Sequence, residues 1–146
     1  MTKQINQRWQ SLLLATIVTF IVLGSSGSVF AQDKAADKYP KPNFSEMEEY
    51  WEIVSYEYDF AEKQFRVIAK PKQKVVPIWW TVTWRDSKGV TVTEYDIYFP
   101  IGAVQRAKIG EPIRAQGYCP FKRQMAEIKT IDVKEDPGGG DAKTAN

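Results

Sequence analysis

Between Ile78 and Trp84 the chain alternates strictly: Ile78, Trp80, Val82 and Trp84 occupy one parity, and Trp79, Thr81 and Thr83 the other. An extended strand sends successive side chains to opposite faces, whereas a helix would scatter these residues around its circumference. Large apolar residues at every second position therefore demand a β-sheet with one buried face. β-Branched and aromatic residues, which suit a half-buried pleated surface, recur with the same period on both sides of this segment. Trp51 to Phe60 reads as a first strand, Ala61-Glu62-Lys63 as a turn, and Gln64 to Lys70 as a return strand with Phe65, Val67 and Ala69 on one face. Asp86-Ser87-Lys88-Gly89 closes a second hairpin onto Val90 to Glu94, because glycine accepts the positive φ of a tight turn. Ile113 to Cys119 and Ala126 to about Lys134 add further strands, while Ile97 to Val104, which contains Pro100 and Gly102, reads as irregular or an edge strand. Helix is expected at most from Ser45 to Tyr50, where Ser45 and Glu48 have capping-box spacing. The expected fold class is all-β, an antiparallel two-sheet sandwich of about seven short strands.

The ends of the chain differ in composition from this core. Lys3 and Arg8 precede an apolar run from Leu12 to Leu23, and Gly24 to Ser28 then lead to Val29-Phe30-Ala31. A basic start, an apolar stretch and small residues before a cut are the three parts of a secretory signal peptide. The apolar run is shorter than the ~20 residues that span a bilayer. Residues 1–31 are therefore expected to be removed near Ala31-Gln32, placing the protein in the periplasm or outside the cell. Residues 32–43 and the Gly-rich 136–146 contain few apolar residues and are expected to be flexible or disordered, leaving 44–135 as the folded domain.

Charge and composition narrow the chemistry. The full chain has 20 Lys+Arg and 18 Asp+Glu; losing Lys3 and Arg8 leaves 18 of each (20 − 2 = 18). A balanced chain has no global attraction for nucleic acid or anionic lipid, so neither is expected as a partner, with the membrane met only in transit through the signal peptide. The sequence has no histidine, which excludes serine–histidine and cysteine–histidine nucleophiles and the commonest metal ligand. Cys119 is the single cysteine and can form no internal disulfide; it is expected to be a small buried apolar residue rather than a reactive thiol. The carboxylates Glu46, Glu48 and Glu49, and Asp132, Glu135 and Asp136, lie at the domain's rim and read as solvated surface, as do Lys70, Lys72 and Lys74. Gly138 to Gly140 follow no strand-to-helix junction of the kind that holds phosphate. No enzymatic activity, cofactor or metal is expected.

Two local motifs carry a resemblance. Trp84-Arg85-Asp86-Ser87-Lys88-Gly89 ends an aromatic-alternating strand in aromatic-x-Asp-x-x-Gly, and Gly110-Glu111 opens an alternating strand that ends in Cys119-Pro120. Together these stretches resemble small bacterial envelope domains with an immunoglobulin or fibronectin-III-like sandwich, similar to FxLYD-type and periplasmic YcfL-like domains. The resemblance implies the sandwich fold and a non-enzymatic accessory or binding role, with no catalytic residue carried over.

Aromatic residues make up 13% of the chain, including five tryptophans, and Trp79 points away from the core parity together with Thr81 and Thr83. If Tyr95 or Trp51 lies beside Trp79, the patch suits a sugar ring or a partner's apolar side chain. The alternative is that this second face is covered by the N-terminal segment or by another copy of the chain. The expected function is an exported, non-catalytic module working through protein contacts in the cell envelope, with a carbohydrate-binding module using Trp79, Thr81, Thr83 and Tyr95 as the alternative.

Overall fold

The structure is a computed structural model that describes residues 38–146. The expected signal peptide over 1–31, its cleavage point and residues 32–37 lie outside the described residues. The described residues belong to one compact unit and build a continuous hydrophobic core from Phe44 to Ala142, so this unit carries what it needs to fold by itself.

The all-β class is what the structure shows. Among the described residues eight strands occur, in the order β1 (Trp51–Asp59), β2 (Gln64–Pro71), β3 (Val75–Pro77), β4 (Trp79–Arg85), β5 (Thr91–Tyr98), β6 (Ile113–Tyr118), β7 (Thr130–Glu135) and β8 (Asp141–Lys143). Six of them make one antiparallel sheet, ordered β1-β2-β6-β5-β4-β7, and β3 pairs with β8 in a second, two-stranded sheet. The large sheet curls as a half-barrel, so the strands are not shared between two comparable layers as the sandwich reading anticipates.

Both expected hairpins form. β1 and β2 pair from Trp51↔Pro71 to Asp59↔Gln64 with a bulge between Ile53 and Ser55. Between β4 and β5 the Asp86 carboxylate accepts the amides of Lys88 (2.8 Å) and Val90 (2.9 Å), and Gly89 takes φ 78°. The side-chain oxygen fixes the turn locally.

Period-two alternation assigns the core. Ile78, Trp80, Val82 and Trp84 are all buried, as are Phe65, Val67 and Ala69 of β2 and Ile131 and Val133 of β7. At one end of the curl Trp51 stacks on Phe99 with ring centroids 4.0 Å apart and planes 7° from parallel. Trp80 meets both rings edge-on, and the indole nitrogens of Trp51 and Trp80 donate to the Pro77 carbonyl at 3.1 and 3.3 Å. Most buried indoles find such a partner, and here Pro77 of β3 serves two of them. At the other end Tyr58, Phe65 and Trp84 form a second aromatic cluster with centroids 5.3 to 5.8 Å apart.

Four sequence expectations are corrected. The only α-helix among the described residues is α1 (Ile101–Arg106), in the stretch read as irregular or edge strand: Pro100 occupies its N-cap position and Val104 is buried. Proline at the start of a helix has a fixed φ and no donor to waste. Residues 45–50 form consecutive turns and not a helix; the Asn43 side chain accepts the Ser45 amide, and Trp51 enters β1 before a regular helix can close.

Residues 38–43, expected to be flexible, are packed: Tyr39 contacts Tyr58 and Phe60 edge-on, the Tyr58 hydroxyl donates to Pro40 O, and Asn43 bridges the β7 edge at Asp132. Residues 136–146, expected to be a disordered tail, return as β8, with Ala142 paired to Val76 and buried. The Thr144 amide donates to Lys74 O, and that of Ala145 to Ala107 O. The glycines make this return possible: Gly140 adopts φ 73°, and a Cβ on Gly139 would lie 2.0 Å from the Cβ of Trp79.

Candidate functional site

The outer, convex parity of the large sheet can be built rung by rung from the strand registers. One rung runs Glu57↔Arg66↔Gln116↔Tyr98↔Trp79 across β1, β2, β6, β5 and β4. The next along β4 places Asp96 and Lys134 on either side of Thr81, and the one after places Glu94 and Asp132 on either side of Thr83. Side chains directly opposite in a ladder interact, and here they do. Thr81 donates to Asp96 at 3.1 Å and Thr83 to Glu94 at 2.8 Å, while Arg66 pairs with both Glu57 (2.8 Å) and Asp59 (2.9 Å).

The structure thus brings Trp79, Thr81 and Thr83 into one column, as expected, but both threonine hydroxyls are committed within the sheet and Thr83 is buried. Tyr95 is a correction. It pairs with Val82, on the inner parity, and its ring lies 6.0 Å from that of Tyr118. Trp51 is buried in the core. The residue beside Trp79 is Tyr98, stacked on it at 5.1 Å with planes 28° apart and 40% exposed.

The reason is a bulge. Counting back from Arg85↔Thr91 without interruption would set Tyr95 opposite Thr81, on Trp79's face. The register instead shifts between Trp84 and Arg85, pairing Trp84 with Thr93. One extra residue in a strand sends every following side chain to the other face, so the bulge turns Tyr95 inward and brings Tyr98 out. The sequence carries no signal for the bulge, and therefore none that places Tyr98 beside Trp79.

Acid–base chemistry is modest here. The Asp59 carboxyl is held below its usual value chiefly by the Glu62 amide, with Arg66 adding to it against the opposing effect of burial. Burial pushes the Cys119 thiol up to about 11, with the Asp59 charge adding to the effect. At neutral pH such a thiol is protonated, and the thiolate is the reactive form. The native protein is therefore expected to react with Ellman's reagent at pH 7.5 at least tenfold more slowly than the urea-unfolded chain; equal rates would disprove the buried-thiol reading. Among the described residues no group of three Asp, Glu or Cys side chains is placed to hold a metal, Glu46 is paired with Lys134 at 3.2 Å, and no helix is long and apolar enough to cross a membrane.

A cleft of about 360 Å³ is formed by Lys38, Tyr39 and Pro40 against residues 122–129, with Met125 and Ile128 buried and Lys122 and Lys129 exposed. Comparison with known protein families, with curated proteins and with solved structures gave no match.

Proposed function

We propose that this chain is an exported, non-catalytic binding module of the cell envelope, holding a partner protein through the outer face of its six-stranded sheet. The observation that carries the reading is the aromatic pair on that face, Tyr98, 40% exposed and stacked on Trp79, with Gln116 directly opposite Tyr98. Rigid aromatic side chains beside groups able to hydrogen-bond are the usual anchors of protein contacts. A sugar platform needs an open ring face. Trp79 offers little, since Tyr98 stacks on it and Gly139 is pressed against its Cβ, Cγ and Cδ1.

A photo-crosslinking amino acid at position 98 is expected to capture a discrete envelope protein, while the same group at exposed Lys74 is expected not to. Tyr98→Ala is expected to weaken that partner's binding by about tenfold with a change in stability within about 0.5 kcal/mol, as for most surface substitutions. Binding to a glycan array that Tyr98→Ala abolishes would replace the protein-contact reading with the carbohydrate one.

A further inference from the structure

The balanced charge of the chain conceals a spatial asymmetry that the topology creates. Strand order and direction put the 60–63 turn, the 86–90 turn and the 119–129 connection at one end of the sheet. That end carries Lys63, Lys88, Lys122, Arg123 and Lys129, with Lys38 lining the cleft together with Lys122 and Lys129. None of these six cations is in a salt bridge among the described residues, and the loops set only Glu62, Asp86 and Glu127 against them. Asp86 is already engaged by the amides of its own turn. At the opposite end Lys72, Lys74, Arg106, Lys108 and Lys143 are matched by Glu48, Glu49, Glu111, Asp136 and Asp141, so no comparable excess arises.

Apolar tips accompany the cations. Phe121 is 50% exposed and Val90 59%. Lys63 and Arg123 lie 5.1 and 5.7 Å from the centre of the Phe121 ring, so the ring stands between two positive charges. An exposed aromatic ringed by Lys and Arg matches an anionic bilayer interface: the ring enters the headgroup boundary while the ammonium and guanidinium groups reach lipid phosphates. The cleft between Lys38, Lys122 and Lys129 opens at the same end and gives a headgroup a place among three ammoniums over an apolar base.

We infer that this end of the half-barrel docks on an anionic phospholipid bilayer, with Phe121 as its apolar contact and Lys122, Arg123 and Lys129 as its main phosphate contacts. This surface is distinct from the outer face around Tyr98. Each cation near an anionic surface contributes about fivefold in binding, and the attraction falls within a Debye length.

Residues 33–146, the unit that holds the whole core, are to be mixed with vesicles of phosphatidylcholine alone or with about one-third phosphatidylglycerol, and binding read by co-sedimentation. Binding is expected only to the anionic vesicles, and is expected to be lost at about 0.5 M NaCl, where screening is strong. The double variant Lys122→Glu/Arg123→Glu should lose at least tenfold and Phe121→Ser at least threefold, each with an unchanged melting curve. Lys72→Glu/Lys74→Glu at the other end should bind as the parent does. Tyr98→Ala should also bind normally, so this inference and the outer-face reading can fail separately. Absence of binding to anionic vesicles, or an equal loss in the Lys72/Lys74 variant, overturns the inference.

Discussion

Trp51→Ala is expected to destabilise the domain by about 3–5 kcal/mol, the range for removing a large buried aromatic. Trp51 is fully buried, stacks on Phe99 and donates to Pro77 O; removing it leaves a void between β1, the start of α1 and β3. For a domain of this size each kcal/mol moves Tm by about 4 °C or more, so the melting temperature should fall by some 12–20 °C at least. Trp51→Phe keeps a ring for Phe99 to stack on and loses only the indole hydrogen bond, so its cost should be nearer 1–2 kcal/mol. Urea denaturation followed by circular dichroism measures both. A loss below about 1 kcal/mol for the alanine variant would contradict the central place given to this ring.

Deleting residues 137–146 is the second large effect. If these residues were a spacer, their removal would leave stability unchanged. The structure instead has β8 cover Val76, and the residues after it, Thr144 and Ala145, donate their amides to Lys74 O and Ala107 O. The deletion removes those hydrogen bonds, the β3–β8 ladder and the burial of Ala142, and it uncovers the fully buried Val76. A net loss on the order of 3 kcal/mol is expected. A point version is Gly139→Val, whose Cβ would overlap Trp79 and which should expel the 138–140 turn without shortening the chain. An unchanged Tm in both variants would restore the expectation of a disordered tail.

The three glycines of the 138–140 turn show why composition alone predicts a disordered tail here. Composition sees Pro137-Gly138-Gly139-Gly140 as a segment too poor in apolar side chains to order itself, and by itself it is. Its order comes from contacts distant in sequence, with Lys74, Val76 and Trp79, where Gly139 is needed because a side chain would collide with that of Trp79, and Gly140 because of its positive φ. Tyr39 and Pro40 were hidden in the same way: a short polar segment acquires structure by packing on Tyr58 and Phe60.

The candidate surface was partly legible. Trp79, Thr81 and Thr83 follow from strand parity, a local property of one segment. Their partner does not, because pairing depends on register, and a single bulge exchanged Tyr95 for Tyr98. Charge was legible as a total and not as a distribution, since the clustering of Lys63, Lys88, Lys122, Arg123 and Lys129 depends on which turns share an end of the sheet.

The alternation from Ile78 to Trp84 by itself determined that the chain would be a β-protein with one buried face, and which residues of that strand would be inside. A pleated strand has no other way to sort such residues. What only the tertiary structure decided was how the strands were distributed, six in one curled sheet and two in another. It also decided which aromatic stands beside Trp79, and that the glycine-rich end belongs to the fold. Each of these depends on contacts between segments far apart in the chain, and period-two patterning within one segment carries no information about its neighbours.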